Sequence, residues 1–135
     1  MNGVAALVAV LTANAALTEV VPEDRIAAGV DLQGTALPKI SISRISATDL
    51  NIPTPGAKRL VRELVQVTVL AADYVAQHRV LALVKAAAAD RLYPTVPGIT
   101  GVTIHTASAG PDFVDERTSI YIGTQDFAVI YNEGT

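Results

Sequence analysis

The chain has 135 residues, is 50% hydrophobic, carries a formal net charge of −3 and contains no cysteine. That hydrophobic share argues against disorder, and the length is enough for one domain with a real core. The mildly acidic balance gives no footprint for nucleic-acid binding. The missing cysteines exclude disulfides, thiolate metal sites and a cysteine nucleophile.

With four Tyr, two Phe and no Trp, the core must be aliphatic. The run from Val4 to Leu11 faintly imitates the apolar part of a signal peptide, but no Lys or Arg precedes it. The expectation there is a helix from Val4 to Asn14, with Val4, Leu7, Val8 and Leu11 on one face and Ala on the remainder. An outer face so poor in charge needs a cover, either the rest of the fold or another subunit. Ala16 to Val21 reads as a short helical turn closed by Pro22. The segment from Glu23 to Val30 leads into a short extended piece, and Asp31 to Thr35 is a loop.

Leu37-Pro38 opens a strand from Lys39 to Ser46, with Ile40 and Ile42 inward and Ser41 and Ser43 outward. Arg44 and Ile45 reverse that alternation, which implies a bulge or a change of face. Thr48 to Ala57 then reads as a loop, because Pro53, Pro55 and Gly56 forbid a central strand. Leu50, Asn51, Ile52 and Pro53 are its candidate contact residues. The two apolar side chains either tuck back onto their own fold or form an arm that docks on a partner. Lys58, Arg59 and Arg62 follow as a basic cluster.

The stretch from Lys58 to Leu92 reads as a long strand, a corner and a long helix. Val61, Val65, Val67 and Val69 alternate with polar neighbours, interrupted by Glu63, and mark a half-buried strand; Leu64 and Leu70 imply partial cover on its second face. Asp73 sits where an N-cap belongs. The helix is expected over Tyr74 to Leu92, with Tyr74, Val80, Leu81, Val84, Ala88 and Leu92 on the buried side and Tyr93-Pro94 as its stop. After a turn from Pro94 to Gly101, Val102 and Ile104 mark a third strand. Ser108 to Glu116 is a polar loop holding Asp112, Asp115 and Glu116. A last strand runs from Arg117 to Asn132, and a bulge at Gly123 would bring Ile120 and Ile122 to the side of Phe127, Val129 and Tyr131.

No nucleophile elbow, P-loop or dinucleotide fingerprint occurs. His78 and His105 have no carboxylate at ligand spacing and read as packing or surface residues. The acidic loop lacks the alternating oxygen ligands of an EF-hand. The expectation is therefore a non-enzyme with no catalytic, cofactor or metal site, and no apolar run reaches membrane-spanning length. The fold expected is a single α+β domain over residues 1–135: a mainly antiparallel sheet of about four strands packed against two helices.

The order of elements resembles the tail-completion family of tailed phages and phage-derived particles, the tail terminators and head–tail joining proteins. The resemblance rests on the Ala/Leu-rich first helix, Asp24-Arg25-Ile26, and Leu37-Pro38 with the strand to Arg44-Ile45-Ser46. It continues through Arg62-Glu63-Leu64-Val65-Gln66-Val67, the helix from Tyr74, and a closing strand with Phe127 and Tyr131. The region from Pro94 to Arg117 is longer than the family's short connection. The resemblance implies a structural virion protein at the tail–neck junction, assembled in the host cytoplasm. It implies a homohexameric ring that ends the tail tube, contacts the major tail tube protein and a neck or head-completion protein, and lets DNA pass without sequence-specific binding. Under that implication Leu50, Asn51, Ile52, Pro53, Lys58, Arg59 and Arg62 are interface candidates, and Asp112, Asp115 and Glu116 lie toward the channel. The other readings are a neck connector and a small non-phage ligand-binding or adaptor domain.

Overall fold

The computed structural model describes residues 2–29, 36–50, 58–89, 91–92, 97–110 and 112–134. Helix α1 (Asn2–Thr12) and the short α2 (Ala15–Thr18) lead through a 3-10 turn (Glu23–Arg25) into strand β1 (Ile26–Ala28). Then come β2 (Lys39–Leu50), β3 (Lys58–Ala71), helix α3 (Tyr74–Ala88), β4 (Arg91–Leu92), β5 (Ile99–Ala109), β6 (Phe113–Asp115) and β7 (Ile120–Gly134). The strands form one sheet in the order β1-β2-β3-β7-β5-β4, with β6 paired to β7. Among the described residues all pairings are antiparallel except β1 with β2. The α+β expectation holds, with seven strands and three helices among the described residues in place of about four and two.

The period of two in β3 decides which way the sheet faces. Val61, Glu63, Val65, Val67, Val69 and Ala71 are all buried. Their β7 partners include Tyr131, Val129, Phe127 and Gln125, also buried, while Ile40 and Ile42 of β2 lie opposite Val69 and Val67. Because alternate side chains point the same way, these residues make one apolar face. Leu7 and Leu11 of α1, Leu17 of α2, and Val80, Val84, Ala87 and Ala88 of α3 complete the core over it. Most of α1 is thus covered by its own fold, with Ala9 left exposed. The opposite face carries Leu60, Leu64, Leu70, Ile122 and Ile130, all half-buried.

Several local expectations hold. The Asp73 carboxylate caps α3 by accepting from the Ala76 N–H at 2.7 Å. Asn14, expected to end the first helix, instead caps α2 by accepting from the Leu17 N–H at 3.0 Å. A register shift between Arg44 and Ser46 is the expected bulge.

Others are corrected. The helix stops at Ala88 rather than Leu92; Ala89 turns extended, and Arg91 and Leu92 pair with Ile104 and Thr103 as an edge strand. Sheet pairing there overrides the helix propensity of an Ala-rich run. No bulge occurs at Gly123: β7 stays in register with β3 from Tyr121 to Gly134, so Ile120 and Ile122 remain on the face opposite the core. Gly123 has a different task. A Cβ there would collide with the Gln77 and Leu81 side chains of α3, so the glycine lets the helix lie close on the sheet. Tyr74, expected on the buried side, is 49% exposed, while Gln77 is fully buried.

Glu63 is the charged type placed deepest in the core face. Its Oε1 accepts from the Tyr131 hydroxyl at 2.9 Å. Its Oε2 lies against Gly3 in the first turn of α1, where a Cβ would have no room. A helix N-terminus is a favourable neighbour for a carboxyl oxygen. Burial, and then the contact with Glu63, push the Tyr131 hydroxyl well above its ordinary pKa, so it stays a donor across the working range.

Two predictions follow from the packing. Phe127, among the largest fully buried side chains, is expected to cost about 3–5 kcal/mol as Phe127→Ala in a denaturant titration, and the partly exposed Leu81 under about 2 kcal/mol as Leu81→Ala. Equal losses would mean that α3 is rotated on the sheet. Tyr131→Phe, which leaves a buried Glu63 oxygen without its donor, is expected to cost about 1–3 kcal/mol; a change within about 0.5 kcal/mol would show that the bond carries no weight.

Candidate functional site

The residues singled out from the sequence fall at two separate places. The first is an arm made of the far halves of β2 and β3. Thr48, Asp49 and Leu50, expected in a loop, continue the strand: Thr48 lies opposite Arg62, Asp49 opposite Val61 and Leu50 opposite Leu60. Alternation with turn-forming residues concealed this from the sequence; β3, already held by β7, supplies the ladder that extends β2. Every residue from Arg44 to Leu50 is exposed. Ile45 occupies the bulge at 49% exposure, and Leu50 is 36% exposed. Arg59 donates to Asp49 at 3.1 Å in a well-exposed pair, which is worth little energy. Arg62 is exposed on the face opposite the helices, and Lys58 opens β3 opposite Gly134. Asn51, Ile52 and Pro53 lie outside the described residues. The structure therefore gathers Leu50, Arg59 and Arg62 on one arm and adds Arg44 and Ile45.

The second place is the opposite end of the sheet. The polar loop expected from Ser108 to Glu116 is interrupted: β5 extends to Ala109, and Phe113 to Asp115 form β6 on β7. Asp112 does not stand free. Its Oδ2 accepts from the Tyr74 hydroxyl at 2.9 Å and lies 3.0 Å from His78 Nε2, and its Oδ1 accepts from Gln77 Nε2 at 3.3 Å. His78 thus has a carboxylate partner after all, from a residue 34 positions away that spacing along the helix could not reveal. Asp115 accepts from the Arg117 N–H at 3.0 Å and shapes the turn into β7, while Glu116 is exposed.

Around this latch lie large apolar side chains open to solvent: Tyr74, Val75 at 77%, Phe113 at 54% and Val114 at 40%. Tyr74, Asp112, Phe113, Val114 and Tyr121 border a shallow cleft of about 190 Å³. A second cleft of about 300 Å³ runs beside it between α3 and the sheet, bordered by His78, Leu81, Lys85, Gly110 and Asp112 among others. The sequence signal for the apolar cluster was Phe113-Val114 inside an otherwise polar segment. Among the described residues no group of His, Asp and Glu side chains is arranged to hold a metal ion.

The hydrogen bond from Tyr74, followed by that from His78, holds the Asp112 carboxyl below its ordinary value, and the same bond raises the Tyr74 hydroxyl. A carboxyl depressed in the folded state contributes stability above its ordinary pKa. That contribution is lost as pH falls through the depressed folded value. Asp112→Ala is accordingly expected to be less stable than the parent near neutrality, with the gap in melting temperature closing through the acid carboxylate range. A gap that stays constant with pH would show that the Asp112 charge is not what holds the loop to α3.

No protein-family profile matches this chain, and no curated protein matches it. Among solved structures 22 chains match. One of them, a chain of the virion of a native gene transfer agent (GTA) particle, superposes with a TM-score of 0.75 at 16% identity. The likeness covers 93% of this chain and 91% of that one, so it spans the whole fold and shows that the two share it.

Proposed function

We propose that this chain is a structural protein of a phage-like particle, forming a hexameric ring that ends the tail tube and joins it to the head or neck. The observation that carries the reading is the fold shared end to end with a virion chain of a gene transfer agent. The order of elements in the sequence points the same way independently. Two further features support it. Asp112, which borders both clefts, is engaged by Tyr74 and His78 rather than left free toward either cleft. Among the described residues the large exposed apolar side chains sit at two distant places, as ring closure through one repeated head-to-tail contact requires.

In this proposal the partners are other copies of the chain, the major tail tube protein and a neck or head-completion protein. DNA crosses the ring without being read. A lumen rich in Lys and Arg would retain it through phosphate contacts. The acidic side chains Asp115 and Glu116 therefore belong near the rim of the channel, where subunits meet, and the basic arm belongs against protein.

The test is the mass of the protein in solution, alone and mixed with purified tail tubes. A hexamer-sized species is expected in at least one of the two conditions, and a monomer in both would overturn the reading. Replacing Leu50 and Ile52 together by Ser is expected to leave the monomer folded and to weaken assembly roughly tenfold or more, as loss of an interface anchor does. Unaltered assembly in that variant would remove the arm from the interface.

A further inference from the structure

Within the ring reading, on which this inference rests, we propose that the β2–β3 arm of one copy packs onto the β6–α3 end of the next. Three observations meet here. First, the large exposed hydrophobic side chains of the described residues fall into two groups: Ile45 and Leu50 on the arm, and Tyr74, Val75, Phe113 and Val114 at the other end. Apolar patches of this kind mark contact surfaces. The open cleft between Tyr74, Phe113, Val114 and Tyr121 has the size and apolar rim to take an aliphatic side chain from the arm.

Second, the charges are complementary. Arg44 and Arg62 stand exposed on the arm, where Arg59 is already tied to Asp49. At the other end Asp73, Asp115 and Glu116 outnumber Arg79 and Arg117, with Asp112 held by α3. An excess of basic groups thus faces an excess of acidic ones, which orients the two surfaces and disfavours arm-to-arm contact.

Third, the two surfaces cannot meet within one copy. Leu50 lies opposite Leu60, whereas Phe113 lies opposite Ile122, whose β3 partner is Leu70. Leu60 to Leu70 along β3 spans roughly 34 Å at the rise of a strand. Two different, mutually fitting surfaces at opposite ends of one molecule generate head-to-tail assembly, which closes when the rotation permits. Both also carry an unpaired edge: among the described residues Arg44 to Leu50 pair only with β3, and β6 only with β7. Such edges invite association, and a neighbour would cover them.

The chain has no native cysteine, so site-directed crosslinking is clean. Leu50→Cys and Phe113→Cys proteins are mixed and treated with a short thiol-reactive crosslinker, with the mass of each sample measured in parallel, alone and on tail tubes. A covalent dimer is expected only when both variants are present. The double variant is expected to give a ladder of linked copies that ends at the ring. Dimers from either single variant alone would show a self-complementary contact and overturn the inference. Assembly at full mass without a 50-to-113 crosslink would overturn it and leave the ring standing, whereas no assembly in any sample would overturn both.

Discussion

The unbroken pairing of β3 with β7 is the constraint on which the rest of the structure depends. From Lys58 opposite Gly134 to Ala71 opposite Tyr121, no residue is skipped on either strand. A slip of β7 by one position would turn Phe127 and Val129 away from the helices and bring Asp126 and Ala128 beneath them, while Val65 and Val67 of β3 kept their places. The ladder also sets the place of everything attached to it. The buried Glu63 meets Tyr131 through this register, and Gly123 opens the space into which α3 settles. Two short caps, Asn14 on α2 and Asp73 on α3, then fix where the chain leaves one element for the next.

The proposed function uses surfaces at the two ends of this ladder. At one end β2 runs on, exposed from Arg44 to Leu50, along the edge of β3; at the other, β7 recruits β6 and presents Phe113 and Val114. The Asp112 latch to Tyr74, His78 and Gln77 ties this second end to α3. An association surface made from a strand edge and a helix start keeps its shape better when the two are joined, because less ordering is left for the binding step.

Much of this was legible in the sequence because burial leaves a periodic mark. The alternation of Val61, Val65, Val67 and Val69 located the central strand and its inner face, Asp73 located the start of α3, and the broken alternation at Arg44 and Ile45 located the bulge. What escaped was decided by contacts distant in the chain. Ala-rich helix propensity continues past Ala88, yet Arg91 and Leu92 are captured by β5. Asp49 and Leu50 look like the start of a loop, yet β3 holds them in a ladder. Phe113-Val114 is too short a run to declare a strand, and Asp112 and His78 are 34 residues apart, so neither β6 nor the latch had a local signature. Gly123 was recognised as special for the wrong reason: its missing side chain serves the helix above it rather than a bulge in its own strand.

The candidate assembly surfaces divide along the same line. The arm was marked by Leu50 and the basic residues near it, whereas its complement, built by Tyr74, Val75, Phe113 and Val114, emerged only when the fold brought a helix start and an edge strand together. The proposed assembly is a ring built from these surfaces and seated on a tail tube. Electron imaging of purified tail tubes incubated with the protein tests it most directly. A six-fold ring is expected at one end of each tube, with a central opening wide enough for a DNA duplex. Tubes bare at both ends after incubation, or protein scattered along their sides, would contradict it.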